Sequence, residues 1–218
     1  MLVVIAVGSI LVALVGTSAN NSLQKAKTTQ CLAKMRALGS GILLYSQDNN
    51  GELPRSQHSA AMARVLAWNR AILPYLDQPA SPTAAEWTGI YNKIYRCPAH
   101  KTRDVNLASY ALNVYFELNP DGDDYVGSPA TWRRQVSVPK PGATILLAEP
   151  KDVYYADHIM CHMWSSARGA TNAVDTQRHT KKSNYLFVDG HVESLPIEAT
   201  YDSATGVNRW NPSLAGVK

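Results

Sequence analysis

Residues 1–48 read MLVVIAVGSILVALVGTSANNSLQKAKTTQCLAKMRALGSGILLYSQD, and this stretch decides the fold. Residues 1–17 contain no charged side chain, and the first proline of the chain is Pro54. The stretch therefore predicts one continuous helix that ends near Asp48, because the Asn-Asn-Gly sequence at 49–51 tolerates the left-handed conformation that closes helices. At about 1.5 Å per residue, such a helix would be about 70 Å long.

The apolar start of this helix has two simpler interpretations, a cleaved signal peptide and an ordinary membrane anchor. A signal peptide needs a basic stretch before its apolar region and a small-residue cleavage site after it. No Lys or Arg precedes Lys25, and residues 17–20, Thr-Ser-Ala-Asn, form a poor cleavage site. A single-pass anchor needs roughly 17 to 25 apolar residues. The run lies at the lower edge of that range, so its length alone leaves an anchor open.

The second half of the predicted helix is amphipathic. Its apolar residues recur at steps of four and three, and they are Cys31, Met35, Leu38, Ile42 and Tyr45. Residues at these spacings share one face of a helix, so this stripe can pack against a domain. The sequence thus divides into residues 1–24, the hydrophobic helix half, and residues 25–218, the amphipathic half with a globular domain.

The globular part combines an early helix with later strands. The sequence predicts a short helix at 59–68 and strands at 109–115, 144–148, 184–188 and 191–195. The last two strands flank Asp189 and Gly190, a dipeptide that favours a two-residue type I′ hairpin. We expect an α+β fold in which the long N-terminal helix packs against a C-terminal antiparallel sheet.

Several segments follow one another in an order that is more specific than any one of them. They are MLVVIAVGSILVAL, QCLAKMRALGSGILLYSQDNNGELP, YRCPAH, SYALN, TILLAEP and HTKKSNYLFVDGHVE. In the last segment His179 is followed by nine residues and then by Asp189 and Gly190. Together these segments resemble the pilin-like proteins and pseudopilins that have a prepilin-type N-terminal methylation segment and an H-X9-DG domain.

This resemblance implies a pilin-like fold and a structural role, as a subunit of a type IV pilus-like filament or a type II secretion pseudopilus. Such subunits are stored in the inner membrane before assembly. An assembly machinery in that membrane polymerises them into a helical homo-polymer, which forms a surface or periplasmic filament. The residues predicted to form the filament core are Leu2, Val3, Val4, Ile5, Val7, Ile10, Leu11 and Leu14. The alternative is a membrane-anchored extracytoplasmic binding module that does not polymerise.

One departure from the family pattern concerns the N-terminus. Family members carry a basic leader, a glycine before the cut, and a Phe-Thr-Leu-Ile-Glu start whose glutamate helps recruit the subunit. In the register set by MLVVIA, these residues would lie upstream of Met1. Either the start is truncated or misassigned, which we favour, or the subunit is a divergent one.

The cysteines and histidines offer two kinds of site. A domain folded outside the cytoplasm retains disulfides, and three cysteines allow one pair. We predict Cys97 with Cys161, with Cys31 to Cys97 as the alternative. Zinc is a weaker hypothesis: Cys97-x-x-His100 and His158-x-x-Cys161-His162 supply suitable ligands, but their spacing is irregular and no C-x-x-C occurs.

Other functional classes find little support in the sequence. Net charge is +4, and no dense Lys/Arg block occurs, so nucleic-acid binding is not predicted. The chain lacks a serine elbow, a phosphate loop and H-E-x-x-H, so we expect no enzyme. We interpret His179 as fixing the loop that leads into the hairpin. No cofactor is predicted except Ca²⁺ as the alternative to a solvated turn, with Asn119, Asp121, Asp123 and Asp124 as its oxygen ligands.

Overall fold

The computed structural model describes the backbone of residues 2–119 and 130–217 and, within these ranges, the side chains from residue 19 onward. The α-helices are α1 (Leu2–Asp48), α2 (Gln57–Ala63), α3 (Trp68–Ala71), α4 (Ala84–Ile90) and α5 (Ala167–Ala173). A π-helical turn at Tyr91–Tyr95 extends α4, and short 3-10 turns lie at Leu73–Leu76, Val114–Phe116, Gln135–Ser137, Pro141–Ala143, Cys161–Met163 and Ile197–Ala199.

The strands form one five-stranded sheet and one two-stranded sheet. They are β1 (Ala111–Asn113), β2 (Ile145–Ala148), β3 (His158–Ile159), β4 (Ser183–Phe187), β5 (Val192–Leu195), β6 (Tyr201–Asp202) and β7 (Val207–Asn208). The larger sheet has the order β3-β1-β2-β4-β5, and β6 pairs with β7. The pairs β1–β2, β2–β4 and β4–β5 are antiparallel, whereas β1 and β3 run parallel. The α+β class is confirmed, but the predicted antiparallel sheet is in fact mixed.

Helix α1 ends where the sequence predicts. Asn50 and Gly51 have φ angles of 56° and 79°, and the Gly51 amide donates to the Ser46 carbonyl at 2.8 Å. These two left-handed residues turn the chain out of the helix and satisfy one of its last carbonyls. The helix is 47 residues long, which corresponds to about 70 Å.

The apolar stripe of α1 packs against the globule as predicted. The side chains of Cys31, Met35, Leu38 and Ile42 are fully buried, and Tyr45 packs at the edge of the same cluster. Residues 19–26, in contrast, are all exposed, so among the described side chains of α1 the only ones that the globule covers follow residue 26. Among residues 19–119 and 130–217, whose side chains are described, no helix combines the length and the apolar character that a membrane crossing requires.

A glycine sets the distance between α1 and the sheet. A Cβ atom added at Gly39 would lie 2.7 Å from Cδ1 of Leu186, a fully buried residue of β4. The helix backbone therefore approaches β4 more closely than a larger residue would allow. This close contact lets the stripe of α1 and the near face of the sheet share one core.

Two hydrophobic clusters cover the two faces of the larger sheet. The first joins the stripe of α1 to Leu112, Leu147 and Leu186 on the near face. The second includes Tyr185 and Phe187 on the far face, where they pack with residues from α5 and the C-terminal segment. Alternate residues of β4 enter opposite clusters, as the two-residue period of a strand requires. All five residues of β4 are consequently buried.

The turn between β4 and β5 differs from the predicted type I′ hairpin. Among its residues only Gly190 has a positive φ, 94°, and the Phe187 amide donates to the His191 carbonyl at 2.9 Å. The connection therefore contains three residues, with the left-handed one last, as in hairpins that end in a glycine bulge. Asp189 does not have the positive φ that a type I′ turn requires, but its side chain stabilises the turn by accepting a hydrogen bond from the His191 amide at 3.1 Å.

A turn with positive φ at both central residues does occur, but before β4. Thr180 and Lys181 have φ angles of 55° and 63°, and the His179 amide donates to the Lys182 carbonyl at 3.1 Å. This is the conformation expected of a type I′ turn. A β-branched residue at positive φ is an outlier, so the turn after His179 is strained.

Candidate functional site

Four side chains from separate parts of the chain meet beneath α1. Cys31 lies on the helix, Cys97 follows the π-helical turn, Glu149 directly follows β2, and His179 precedes β4. Their ligand atoms all lie within 4.8 Å of one another, and all four residues are buried. We call this group the Cys-Glu-His cluster. It is the place where the helix, the sheet and two loops are joined by polar side chains.

Glu149 is at the centre of the cluster. Its Oε1 atom accepts from the Cys31 thiol at 2.9 Å and lies 3.0 Å from Nε2 of His179. Its Oε2 atom accepts from the backbone amide of Asn184 at 2.8 Å. A bulge in the pairing of β2 with β4 precedes this position and directs the carboxylate toward the helix side. A fully buried carboxylate needs such partners, because burial alone strongly disfavours its charge.

Arg178 supplies a compensating charge. Its Nη1 atom lies 3.6 Å from Oε1 of Glu149, and its other nitrogens pair with Asp152 at 2.8 Å and Asp175 at 3.1 Å. Burial raises the pKa of Glu149, but the hydrogen bond from His179 and the charge of Arg178 outweigh it and lower that pKa to about 2. Glu149 is therefore ionised across the physiological pH range.

The imidazole of His179 bridges the cluster to the helix surface. Its Nδ1 atom lies 3.0 Å from the Thr28 hydroxyl, which itself donates to the Gln24 carbonyl at 2.9 Å. Burial lowers the pKa of His179, whereas hydrogen bonds to Cys97 and Glu149 raise it, and the net result is about 9. The predicted role of His179 is thus extended: its side chain ties the loop before β4 to α1.

The two thiols of the cluster differ in their surroundings. The neighbouring Cys31 thiol lowers the pKa of Cys97 to about 7, with help from His179 at 3.5 Å and against the effect of burial. Burial raises the pKa of the Cys31 thiol. The Cys31 sulfur also lies 3.1 Å from the hydroxyl oxygen of Tyr110. One thiol is therefore poised to ionise near neutral pH, and the other stays protonated unless a cation replaces its proton.

The structure separates the two cysteines predicted to form a disulfide. All three cysteines are free, and Cys97 lies in the hydrophobic cluster on the near face of the sheet, beneath α1. Cys161 lies in the far hydrophobic cluster, where its thiol donates to Oδ1 of Asn113 at 3.0 Å. The Cys97–Cys161 bond is thus not formed. Cys97 lies instead beside Cys31, the alternative partner, since their sulfurs are within 4.8 Å.

The zinc ligands proposed from sequence spacing are not brought together. Of that set only Cys97 belongs to the Cys-Glu-His cluster, which is the one such donor group among residues 19–119 and 130–217. His100 turns toward Arg96 and Asp152 instead, with its Nε2 atom 3.5 Å from the Asp152 carboxylate. Spacing along the chain failed here because the true neighbours of Cys97 lie far away in sequence.

Other predicted site residues fall in several places. Asn119 precedes the undescribed segment, and the calcium candidates Asp121, Asp123 and Asp124 lie outside the described residues. Asp189 and His191 form an exposed pair at 2.6 Å in the β4–β5 turn, apart from the cluster. The predicted filament-core residues lie on α1, in the part for which the backbone alone is described, and they are Leu2, Val3, Val4, Ile5, Val7, Ile10, Leu11 and Leu14.

The sequence analysis missed Glu149, at the centre of the cluster, and Arg178, which pairs with it. Glu149 directly follows the buried strand Ile145–Ala148. Because a buried glutamate almost always has a partner, this position indicates that Glu149 pairs with a basic or hydrogen-bonding group. Arg178 adjoins His179 in sequence and carries the opposite charge. The sequence thus contains an acid at the end of a buried strand and an arginine beside His179, but no motif or spacing indicates that the two side chains meet.

No protein-family model matches this chain, and it shows no significant similarity to a curated protein sequence or to a solved structure.

Proposed function

We propose that this protein is a structural subunit of a pilin-like filament, either a type IV pilus-like fibre or a type II secretion pseudopilus. The observation that carries the proposal is a single helix, α1, which has an uncharged apolar segment at one end and a globule packed on the other. The segment and the globule share one continuous backbone. A helix of this length is able to extend from the globule into the core of a fibre.

The energetic argument concerns the uncharged segment. Residues 1–24 carry no charged side chain, and the first basic residues are Lys25 and Lys27. An apolar helix surface exposed to water costs about 25 cal/mol for each Å². Lipid hides that surface before assembly, and copies of the same helix hide it afterwards. The expected partners are thus a membrane and other subunits, and the resemblance to pilins adds the inner membrane and its pilus or secretion assembly machinery.

The packing of the amphipathic half supports the same role. Cys31, Met35, Leu38 and Ile42 are fully buried in the globule, so the helix cannot separate from it without exposing a core. Side chains at 19–26 are exposed, which leaves this stretch available to neighbouring subunits. A subunit built in this way would transmit load between the fibre core and its outer surface.

The test places a charge in the apolar segment. We expect Val4→Asp and Ile10→Asp each to abolish fibres, because a carboxylate buried between helices is costly. Leu44→Asp is the matched control: Leu44 lies on the same helix but is 45% exposed beside the globule, so this variant should form normal fibres. Fibres would be counted by negative-stain microscopy of sheared surface material.

Two outcomes separate the alternatives. Normal fibres from Val4→Asp or Ile10→Asp would contradict assembly through the apolar helix. A wild-type chain that stays in the membrane fraction without ever forming fibres would favour the membrane-anchored binding module instead. Limited proteolysis of each variant would establish that the globule, which is distant in sequence from both substitutions, is still folded.

A further inference from the structure

We propose that Cys31, Cys97, Glu149 and His179 form a closed zinc site that fastens α1 to the globule. This inference does not depend on the filament proposal, because it concerns the interior of one subunit. Zinc prefers four ligands chosen from thiolate, imidazole and carboxylate groups. The Cys-Glu-His cluster offers two thiols, one imidazole and one carboxylate, from four separate segments of the chain.

The distances fit a tetrahedral ion. Bonds of about 2.3 Å to sulfur and about 2.0 to 2.2 Å to nitrogen and oxygen place sulfur and nitrogen about 3.5 Å apart, and nitrogen and oxygen about 3.4 Å apart. The Cys97 sulfur lies 3.5 Å from Nε2 of His179. Oε1 of Glu149 lies 3.0 Å from that nitrogen and 2.9 Å from the Cys31 sulfur. Of these three distances, the two to the carboxylate are shorter than in a tetrahedral site, by a few tenths of an ångström to nitrogen and somewhat more to sulfur, and the other three pairs of ligand atoms lie within 4.8 Å.

The orientation of His179 is already that of a metal ligand. The Thr28 hydroxyl has a single proton, which it donates to the Gln24 carbonyl at 2.9 Å. Nδ1 of His179, 3.0 Å from the same oxygen, must then be the donor in their contact. Nδ1 therefore keeps its proton, and Nε2 is the nitrogen that can give up the proton it donates to Oε1 of Glu149, at 3.0 Å, when a cation takes that place. A hydrogen bond at the remote nitrogen is the usual companion of histidine ligation.

The charges of the site also balance. Two thiolates and one carboxylate bring three negative charges, and a divalent ion leaves a net charge of −1. The guanidinium of Arg178, which also pairs with Asp152 and Asp175, lies 3.6 Å from Oε1 of Glu149 and offsets part of that remainder. Without a cation, two thiolates could not both be ionised beside a buried carboxylate. The structure thus supplies the counter-charge for one divalent ion.

A disulfide between Cys31 and Cys97 is the competing arrangement. Their sulfurs lie within 4.8 Å and the two thiols hydrogen-bond to each other, but Cys31 also donates to Glu149 and Cys97 also contacts His179. A disulfide would use the sulfurs alone and leave Glu149 and His179 paired only with each other and with their remaining neighbours. Zinc uses all four groups, and for this reason we favour it.

Burial of all four ligands indicates a structural site. The four residues are at most 3% exposed, so no position is open to a substrate. Structural zinc sites have four protein ligands, and their binding energy contributes directly to folding. A metal at this place would join α1 to the end of β2, to the loop before β4 and to the segment after the π-helical turn.

The test uses the full chain in detergent, kept reduced and stripped of metal. Titration with Co²⁺ should saturate at one ion per chain and produce the visible bands of tetrahedral cobalt together with a thiolate charge-transfer band. One equivalent of Zn²⁺ should remove both features. Zinc should also raise the melting temperature, because it binds the folded chain preferentially.

Variants identify the ligands. Cys31→Ser and Cys97→Ser should each lose the charge-transfer intensity of one thiolate and weaken Co²⁺ binding more than about tenfold. Thr28→Val keeps all four ligands but removes the partner of Nδ1, so it should weaken binding by about 10- to 100-fold. Cys161→Ser is the matched control, because this buried thiol lies in the far hydrophobic cluster. It should bind cobalt as the wild type does.

Several results would overturn the proposal, including some that need no variant. A reduced wild-type chain without a tetrahedral cobalt spectrum has no such site. An unchanged spectrum in Cys31→Ser, or loss of the spectrum in Cys161→Ser, would place the ion elsewhere. A chain isolated from the cell envelope with Cys31 and Cys97 quantitatively disulfide-bonded, and with no zinc by elemental analysis, would assign the site to the disulfide.

Discussion

Nε2 of His179 lies 3.0 Å from Oε1 of Glu149, and neither side chain is exposed to solvent. The pair joins the loop before β4 to the end of β2, and both residues also contact side chains of α1. Removing one partner of a buried pair leaves an uncompensated charge and costs about 3 to 5 kcal/mol. We therefore expect Glu149→Gln to lower the free energy of unfolding by that amount at neutral pH.

The pH dependence of that loss follows from the pKa of Glu149. Because the pKa falls from 4.5 to about 2 on folding, the contribution is complete above pH 4.5 and disappears as the pH falls through about 2. The difference between wild type and Glu149→Gln, measured by urea unfolding of metal-free chain, should shrink over this interval. Asp189→Asn makes the matching substitution at an exposed acidic residue and serves as the comparison. A constant difference down to pH 2 would contradict the assignment.

The alkaline limb is less informative, because two effects oppose each other. The pKa of His179 is raised from 6.5 to about 9, so its contribution is lost as the pH rises through that range. The pKa of Cys97 is lowered from 9 to about 7, so its contribution grows over much of the same range. We accordingly expect a flat stability profile between pH 7 and 9, not a second clear transition.

A second prediction concerns the stripe of α1. Leu38 is fully buried against the sheet, and Leu38→Ala should reduce the free energy of unfolding by about 2 to 5 kcal/mol through lost burial and a residual cavity. Leu44→Ala, on the exposed face of the same helix, should change it by about 0.5 kcal/mol or less. Thermal and denaturant unfolding of both variants would measure the difference. Equal effects would mean that the stripe is not part of the core.

A third prediction addresses the strained turn after His179. Thr180 has a φ of 55°, a conformation that asparagine adopts at lower cost than a β-branched residue. We expect Thr180→Asn to stabilise the chain by about 1 kcal/mol in denaturant unfolding. Thr176→Asn, at a nearby loop residue without a positive φ, provides the comparison and should be close to neutral. A destabilised Thr180→Asn would show that the threonine makes a contact worth more than the strain.

A fourth prediction uses the same chemical change at two glycines. Gly190 has a φ of 94°, and an added Cβ would lie 3.0 Å from Cδ1 of Leu43. Gly190→Ala should therefore destabilise the chain by about 1 to 2 kcal/mol. Gly89, within α4, has open space around it, and Gly89→Ala should stabilise by up to about 1 kcal/mol. Denaturant unfolding of the pair should give opposite signs, and a common sign would refute the argument.

Much of the fold was accessible from local patterns. The end of α1 at Asp48, its buried stripe and the strand at Ile145–Ala148 all follow from periodicity and turn chemistry. The helix predicted at 59–68 lies earlier, at Gln57–Ala63. It begins after Ser56, whose side chain caps it, and it ends at Ala63 because Arg64 takes the left-handed conformation. The parallel pairing of β1 with β3 was not predicted, since two-residue strands carry almost no signal.

The candidate site was mostly beyond the reach of the sequence. Cys31 and Glu149 are 118 positions apart, and Cys97 and His179 are 82 apart. Cys31 occupies a place in a regular apolar stripe, so its pattern predicts core packing and not a polar contact. Cys97 and His179 were singled out for other reasons, and Cys97 was assigned a different partner. Only the packing of α1 on the sheet brings these side chains together.

The most direct test of the central proposal is a helical reconstruction of the fibre from sheared surface material by electron cryomicroscopy. We expect residues 2–15 of neighbouring subunits to pack helix against helix along the fibre axis, with interaxial distances of about 8 to 10 Å. The globules should lie outside that core. A fibre built from globule contacts alone, or material in which this chain is found solely as a monomer, would contradict the account.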